Sequence, residues 1–175
     1  MPTIRLRLAQ AADLPTIMTL VAQAKTQLAQ AQIPQWQAGY PKLTDFQTDL
    51  AQRGLYVLEK DDHLVGAASL LLTPEPNYQQ LLAGSWLANS QANYATIHRV
   101  CVDSHYSGQQ LGQKLLTALL DEAKRLGFSD VRIDTHRRNL RMQHVILKSG
   151  FKLAGTVQLN HDPHILRQVY QCLFA

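Results

Sequence analysis

Two hydrophobic periods alternate along this chain. Ile4-Arg5-Leu6-Arg7-Leu8 exchanges apolar and charged residues at every step, which predicts a half-buried first strand. From Ala12 to Ala31 the period lengthens: Leu14, Ile17, Met18, Val21, Ala24 and Leu28 fall on one face of a predicted helix, with Pro15 tolerated in its first turn. The Pro- and Gly-containing segment Ile33–Pro41 ends that helix, and a short second helix is expected from Thr44 to Gln52. Leu55–Glu59 and Leu64–Leu71 flank the polar Lys60-Asp61-Asp62-His63 and predict a β-hairpin.

Thr73 to Asn93 carries Pro74, Pro76, Gly84 and Trp86 and breaks the period, so it reads as an excursion with a short helical piece near Gln79–Leu82. A β-branched strand follows at Ala95–Val102. The helix after Gly108 places Leu111, Leu115, Leu116, Leu119, Ala123 and Leu126 on one stripe and stops at Gly127. Val131–Asp134 predicts a strand, Asn139–Ser149 a helix, and 151–159 with 165–174 a closing pair of strands. The expected class is α/β, with one mixed sheet and helices on both faces. The chain shows no linker or repeat, so residues 1–175 are expected to form a single domain.

Composition narrows the options. At 175 residues, with 46% apolar and 17% charged positions, the chain can bury a core and is not of the disordered type. A net charge of +4 is modest, and Lys and Arg are scattered except around Arg137, Arg138 and Arg141, so a nucleic-acid partner is not expected. No apolar stretch has the length of a signal peptide or a membrane span, which makes a cytoplasmic protein the expectation. Cys101 and Cys172 lie far apart without a CxxC pair, so both are expected to be reduced and inert, and no metal site is expected.

The candidate chemistry begins at Ile97-His98-Arg99-Val100-Cys101-Val102, followed by Ser107-Gly108-Gln109-Gln110-Leu111-Gly112 and the leucine-striped helix. A strand that feeds a Gly-containing turn and then a helix start presents free backbone N–H groups to phosphate oxygens. A bland alternative stands beside this: Ser107-x-x-Gln110 also matches a capping box, in which side chains satisfy the same N–H groups. Neither GxGxxG nor a Walker lysine pattern occurs.

With Asn139 and Gly150-Phe151 downstream, this order of elements resembles the cofactor half of the GNAT family of N-acetyltransferases. The resemblance spans nearly the whole chain, most specifically residues 95–151, and within the family it is similar to a bacterial branch whose acceptors are mostly unassigned. It implies a mostly antiparallel twisted sheet with a splayed strand pair, acetyl-CoA as donor and an amine as acceptor. Residues 1–94 would then form the acceptor side, 95–151 the acetyl-CoA core and 152–175 the closing strands. The family's turn usually reads Arg or Gln, two residues, Gly, one residue, then Gly or Ala; here Ser107, Gln110 and Gly112 hold those places. Implied cofactor contacts are Val100, Cys101 and Val102 at the strand end, Ser107, Gly108, Gln109, Gln110, Leu111, Gly112 and Gln113 in the turn, and Asn139, which doubles as a helix N-cap candidate. Arg137, Arg138 and Lys148 are candidates for the 3′-phosphate.

Moving an acetyl group to an amine requires removal of a proton, because a lysine-type amine has a reference pKa near 10.4. His98, four residues before Val102, matches a histidine that some relatives use for this. Asp134 and His136 end the next strand near the same cleft and are candidates to hold an ammonium group or to act on it. The family's usual general acid, a tyrosine, falls at Ile146 and is therefore missing, with Tyr106 as a substitute candidate. Trp36 and Tyr40 sit between the first two helices, either anchoring the loop or walling the acceptor pocket. Arg99 and Arg167 are candidates for an acceptor carboxylate, or structural arginines. The expectation is direct transfer to a small primary amine or amino-acid-like acceptor. Protein N-terminal or lysine acetylation and a non-catalytic acyl-CoA sensor remain open, as does a homodimer.

Overall fold

The computed structural model describes residues 1–87 and 93–174. Its sheet has eight strands: β1 (Ile4–Leu8), β2 (Leu55–Lys60), β3 (His63–Leu71), β4 (Ala83–Gly84), β5 (Ala95–Val102), β6 (Asp130–Thr135), β7 (Lys152–Gln158) and β8 (Leu166–Leu173). They lie in the order β1-β2-β3-β5-β6-β8-β7-β4. Every pairing among the described residues is antiparallel except β5 with β6. Among the described residues there are four α-helices: α1 (Leu14–Gln30), α2 (Leu43–Ala51), α3 (Leu111–Arg125) and α4 (Leu140–Lys148).

Strand alternation builds two separate cores. On β2, Tyr56 and Leu58 join the layer under α3 and α4, with Leu115, Leu116, Leu119 and Ile146, while Leu55 and Val57 meet Ile17, Leu20, Val21 and Phe46 of α1 and α2. A strand buried on both faces reads as a continuous apolar run, and 55–58 is one. The helices therefore cover both faces, as the leucine stripe of α3 and the stripe of α1 required.

The excursion was the least legible part. Its helical turn is a 3-10 turn at Pro76–Tyr78, earlier than the expected Gln79–Leu82, because Glu75 caps it through Asn77 N. Ala83–Gly84 instead adds a two-residue strand to β7. A Cβ on Gly84 would stand 2.1 Å from Ala154 O, so only glycine permits that approach. The remaining part of the excursion at 88–92 lies outside the described residues.

Where β5 and β6 run parallel they pair only from Ala95↔Val131 to Ile97↔Ile133. Beyond Ile97, β5 stays on β3 through Cys101 and Val102, whereas β6 stays on β8 through Asp134 and Thr135. The sheet splits there, and the site lies in the split.

Candidate active site

A cavity of about 1500 Å³ runs along this opening. That exceeds the usual 300–1,000 Å³ of a small-molecule pocket, enough for two ligands to meet. Apart from Gln109, Arg137 and Arg138, every residue picked from the sequence for the cofactor, the chemistry or the acceptor lines it. Gln109 turns away: its amide donates to Tyr106 O at 3.3 Å and its side chain contacts Lys60.

At one end of the cavity is the turn before α3. Gly108 has φ +80° and Gln110 φ +57°, both left-handed, which curls the chain so that successive N–H groups converge. The expected capping box does not form. Gln110 is itself the N-cap, in the left-handed region, and no side chain caps the helix start. The amides of Gly108, Gln110, Leu111, Gly112 and Gln113 consequently have no hydrogen-bond partner among the described residues. Gln110 thus keeps the conformation that glycine takes most easily. Gly112 has another reason to be small, since a Cβ there would stand 3.3 Å from Val145 Cγ1 on α4.

Asn139 caps α4, accepting from Met142 N at 3.2 Å, and donates to Gln35 Oε1 at 3.1 Å. Gln35 also lies 3.4 Å from His136 N, so the 33–41 loop is tied to the far wall of the split. Lys148 lines the cavity; Arg137 and Arg138 are exposed and do not, and Arg141 does instead.

His98 stands on β5 at the point of divergence, its side chain 15% exposed, with Nε2 3.2 Å from Glu75 Oε2. Glu75 was missed in the sequence, between two prolines in an unpatterned segment. Its other oxygen accepts from Asn77 N and Nδ2 at 3.1 and 2.8 Å. Burial opposes ionisation of Glu75, but His98 and Asn77 outweigh it and hold the carboxyl below its usual range.

The other two chemical candidates each meet a partner from their own chain. Asp134 accepts from Tyr78 Oη at 2.5 Å. Burial first, then Asp134, pushes the Tyr78 hydroxyl far above the ordinary phenol value, so it remains a donor. His136 Nδ1 accepts from Arg138 N at 3.1 Å. Burial, followed by Arg167, Arg137 and Arg138, lowers the pKa of His136. A neutral ring with Nδ1 occupied carries its proton on Nε2, which makes it a donor rather than a base. Tyr106 lines the cavity with Lys60 Nζ 5.1 Å over its ring. Ile146 is fully buried in the core under the sheet.

The 33–41 loop is anchored to the core and also borders the cavity. Trp36 packs against the α1/α2 core and also walls the cavity. Tyr40 Oη accepts from Arg99 Nη1 at 2.6 Å. Arg99 sits at a bulge where Arg99 and Val100 oppose the single Ala68, with φ +55°. Its Nε and Nη2 each reach Asp49 at 2.7 Å, so Arg99 is a structural arginine bound by its own chain. Cys101 borders the cavity but is buried, which pushes its thiol up to about 12, and Cys172 is buried as well.

Comparison with known proteins agrees with this geometry. The acetyltransferase (GNAT) family model matches residues 23–151. A GNAT-family acetyltransferase from Streptococcus agalactiae is 29% identical, covering 98% of this chain and 96% of that one, with a TM-score of 0.88. An acetyltransferase from Salmonella typhimurium that modifies the N-terminal serine of a ribosomal protein is 19% identical over 99% and 96% of the two chains, with a TM-score of 0.68. AAC(6')-Ib, solved with ribostamycin and coenzyme A, is 20% identical over 98% and 93%, with a TM-score of 0.68. No curated protein matches.

The fold and the split sheet define an acetyl-CoA-dependent acyltransferase. The chain belongs to the GNAT acetyltransferase family. Among the described residues no helix is long and apolar enough to cross a membrane.

Proposed function

We propose that this enzyme acetylates a primary amine of a small acceptor by direct transfer, with His98 taking the proton and Glu75 holding His98. The observation that carries the reading is the position of the His98–Glu75 pair, 3.2 Å apart, at the mouth of the β5/β6 split that leads to the unpartnered amides of residues 108–113.

Acetyl-CoA supplies an activated acyl carbon and a thiol leaving group whose pKa, like that of cysteine near 8.5, lets it depart with little protonation. The residues of this chain do the rest. The turn amides and the positive end of α3 bind the diphosphate. The free edge of β5 from Val100 to Val102 hydrogen-bonds the pantetheine arm as an added strand, and an N–H of Val100 or Cys101 polarises the thioester carbonyl. Asn139 steadies the arm from the other wall. With Glu75 at Nε2, the Nδ1 of His98 accepts the proton that the amine nitrogen loses as its bond to the acyl carbon forms and the carbon–sulfur bond breaks. The loss of a tyrosine at position 146 is tolerable because the leaving thiolate needs little help, with Tyr106 as the donor nearest the turn in sequence. Cys101, with its thiol near 12, is no nucleophile, which favours direct transfer over an acyl-enzyme.

Relatives of this fold act on a ribosomal-protein N-terminus or hold an aminoglycoside. Trp36 and Tyr40, folded over the cavity and tied to Arg99 and the α1/α2 core, favour a small acceptor over a polypeptide chain. The test is thiol release from acetyl-CoA across a panel of amines, beside calorimetry of coenzyme A binding. Release with at least one small amine is expected; binding without release from any of them replaces the enzyme reading with an acyl-CoA sensor.

A further inference from the structure

Arg99 and Arg167 both line the acceptor half of the cavity, but their charges are managed differently. Arg99 is closed by a bidentate carboxylate and a phenol oxygen. Burial works against its cation, and Asp49 and Tyr40 outweigh that effect. Arg167, on β8, has a side chain only 12% exposed and lacks such closure. Its Nη1 donates to Leu166 O at 2.9 Å, on its own strand. Its Nε lies 4.0 Å from Asp134 Oδ1, at the outer limit of an ion pair. Nη2 has no partner among the described residues.

Asp134 is not free to complete the pair. Its Oδ2 takes the Tyr78 hydroxyl at 2.5 Å, and Tyr78 is itself 1% exposed and packed among the rings of Trp86, Tyr94 and His98. The carboxylate is thereby held back from Arg167. Glu75, the other acid lining this part of the cavity, is occupied by His98 and Asn77. The consequence shows in the surroundings: burial lowers the pKa of Arg167 more than Asp134 and Tyr40 raise it, and the Arg167 charge helps to keep His136 neutral.

A guanidinium withdrawn from water without a closed carboxylate partner carries an uncompensated desolvation cost, and a bidentate carboxylate from a ligand removes it. The neighbouring His136, with its proton on Nε2, adds a neutral donor rather than a competing charge. Resting on the proposed acetylation of a small amine, we infer that the acceptor also bears a carboxylate, as an amino acid does, and that Arg167 binds it and so determines acceptor specificity. The amine end then lies toward His98, and the carboxylate end toward β8.

The experiment compares matched acceptors, the common amino acids with their α-carboxamides and β-alanine with its amide, in the wild-type enzyme and in Arg167→Gln and Arg167→Lys. Coenzyme A titration serves as the check on folding. For the best pair, kcat/KM of the wild type should favour the acid by at least about 10-fold, the scale of a charged hydrogen-bonded contact. Arg167→Gln should bring that ratio close to one by raising KM for the acid, leaving the amide within about 3-fold, and Arg167→Lys should recover part of the preference. A wild-type ratio near one overturns the inference while the proposed function stands, and so does an equal loss on both members in Arg167→Gln. Should Arg167→Gln fail to bind coenzyme A, the wild-type ratio and the Lys variant decide alone. Release with neither member of any pair overturns the proposed function and this inference with it.

Discussion

The role proposed for His98 depends on a neighbour that no local pattern announces. Glu75 comes from the excursion and approaches Nε2 from another segment of chain, placing a carboxylate oxygen 3.2 Å from the imidazole. Replacing His98 by Ala should lower kcat by about 100-fold or more, within the usual range for a general base. Glu75→Gln should lower kcat by about 10-fold with coenzyme A affinity unchanged, because it keeps the shape and removes only the charge. An unaltered kcat in His98→Ala takes the base role from this residue. Cys101 offers a second check. With its thiol pushed up to about 12 in a buried setting, alkylating reagents at pH 7.5 should leave Cys101 unmodified by mass spectrometry and activity intact.

These residue-level contacts explain what the sequence could and could not disclose. His98, Asn139 and the turn were legible because a strand, a cap and a helix start have local signatures. Asp134 and His136 were found as neighbours of the site, but their partners, Tyr78 Oη and Arg138 N, carry no local signature. Arg99 and Arg167 could not be told apart, since what separates them is Asp49, which reaches Arg99 from α2 across fifty positions.

Among the elements, the turn into α3 departs most from its sequence reading. Ser107 and Gln110 have the letters of a capping box, yet the chain curls through left-handed conformations at 108 and 110 and leaves the amides bare. Tertiary geometry overrode a local preference there, and the cost sits on Gln110, roughly 1 kcal/mol for a non-glycine residue in that region. Gln110→Gly should therefore stabilise the protein by about 0.5 kcal/mol in urea unfolding and preserve coenzyme A binding. Gly108→Ala should destabilise it by about 1 kcal/mol and weaken binding, because the strain now falls on an alanine. Equal effects from the two changes would remove the conformational explanation. Strand and helix positions, by contrast, followed from period alone. Besides that turn, the excursion departed from its reading, where prolines, caps and a two-residue strand replace any period.

Across the whole molecule, the edge of the sheet is closed by charge. Arg7 on β1 donates to Asp13 at 2.7 Å and to Glu59 of β2 at 2.6 Å, tying the first strand to the entrance of α1. Arg7 holds the Asp13 carboxyl below its usual range, and Arg5 with Arg7 does the same for Glu59. Both folded values are depressed from an ordinary value near 4. Their contribution is therefore whole above about pH 5 and is lost as pH falls through the folded values. Arg7→Ala should cost about 1 kcal/mol at pH 7 and flatten the decline in stability below pH 4, measured by urea unfolding across pH. A full acid-side slope in the variant would assign that slope to other carboxylates.

The proposed acetyl-CoA site rests on the split between β5 and β6 and on the bare amides to which it leads at the start of α3. A titration of the 15N-labelled protein, at 19.6 kDa well suited to amide NMR, reads it directly. Added coenzyme A should shift the amides of Gly108 and of residues 110–113 most strongly, with smaller shifts at 100–102. Saturable binding with those amides unmoved and the largest shifts elsewhere would contradict the diphosphate site.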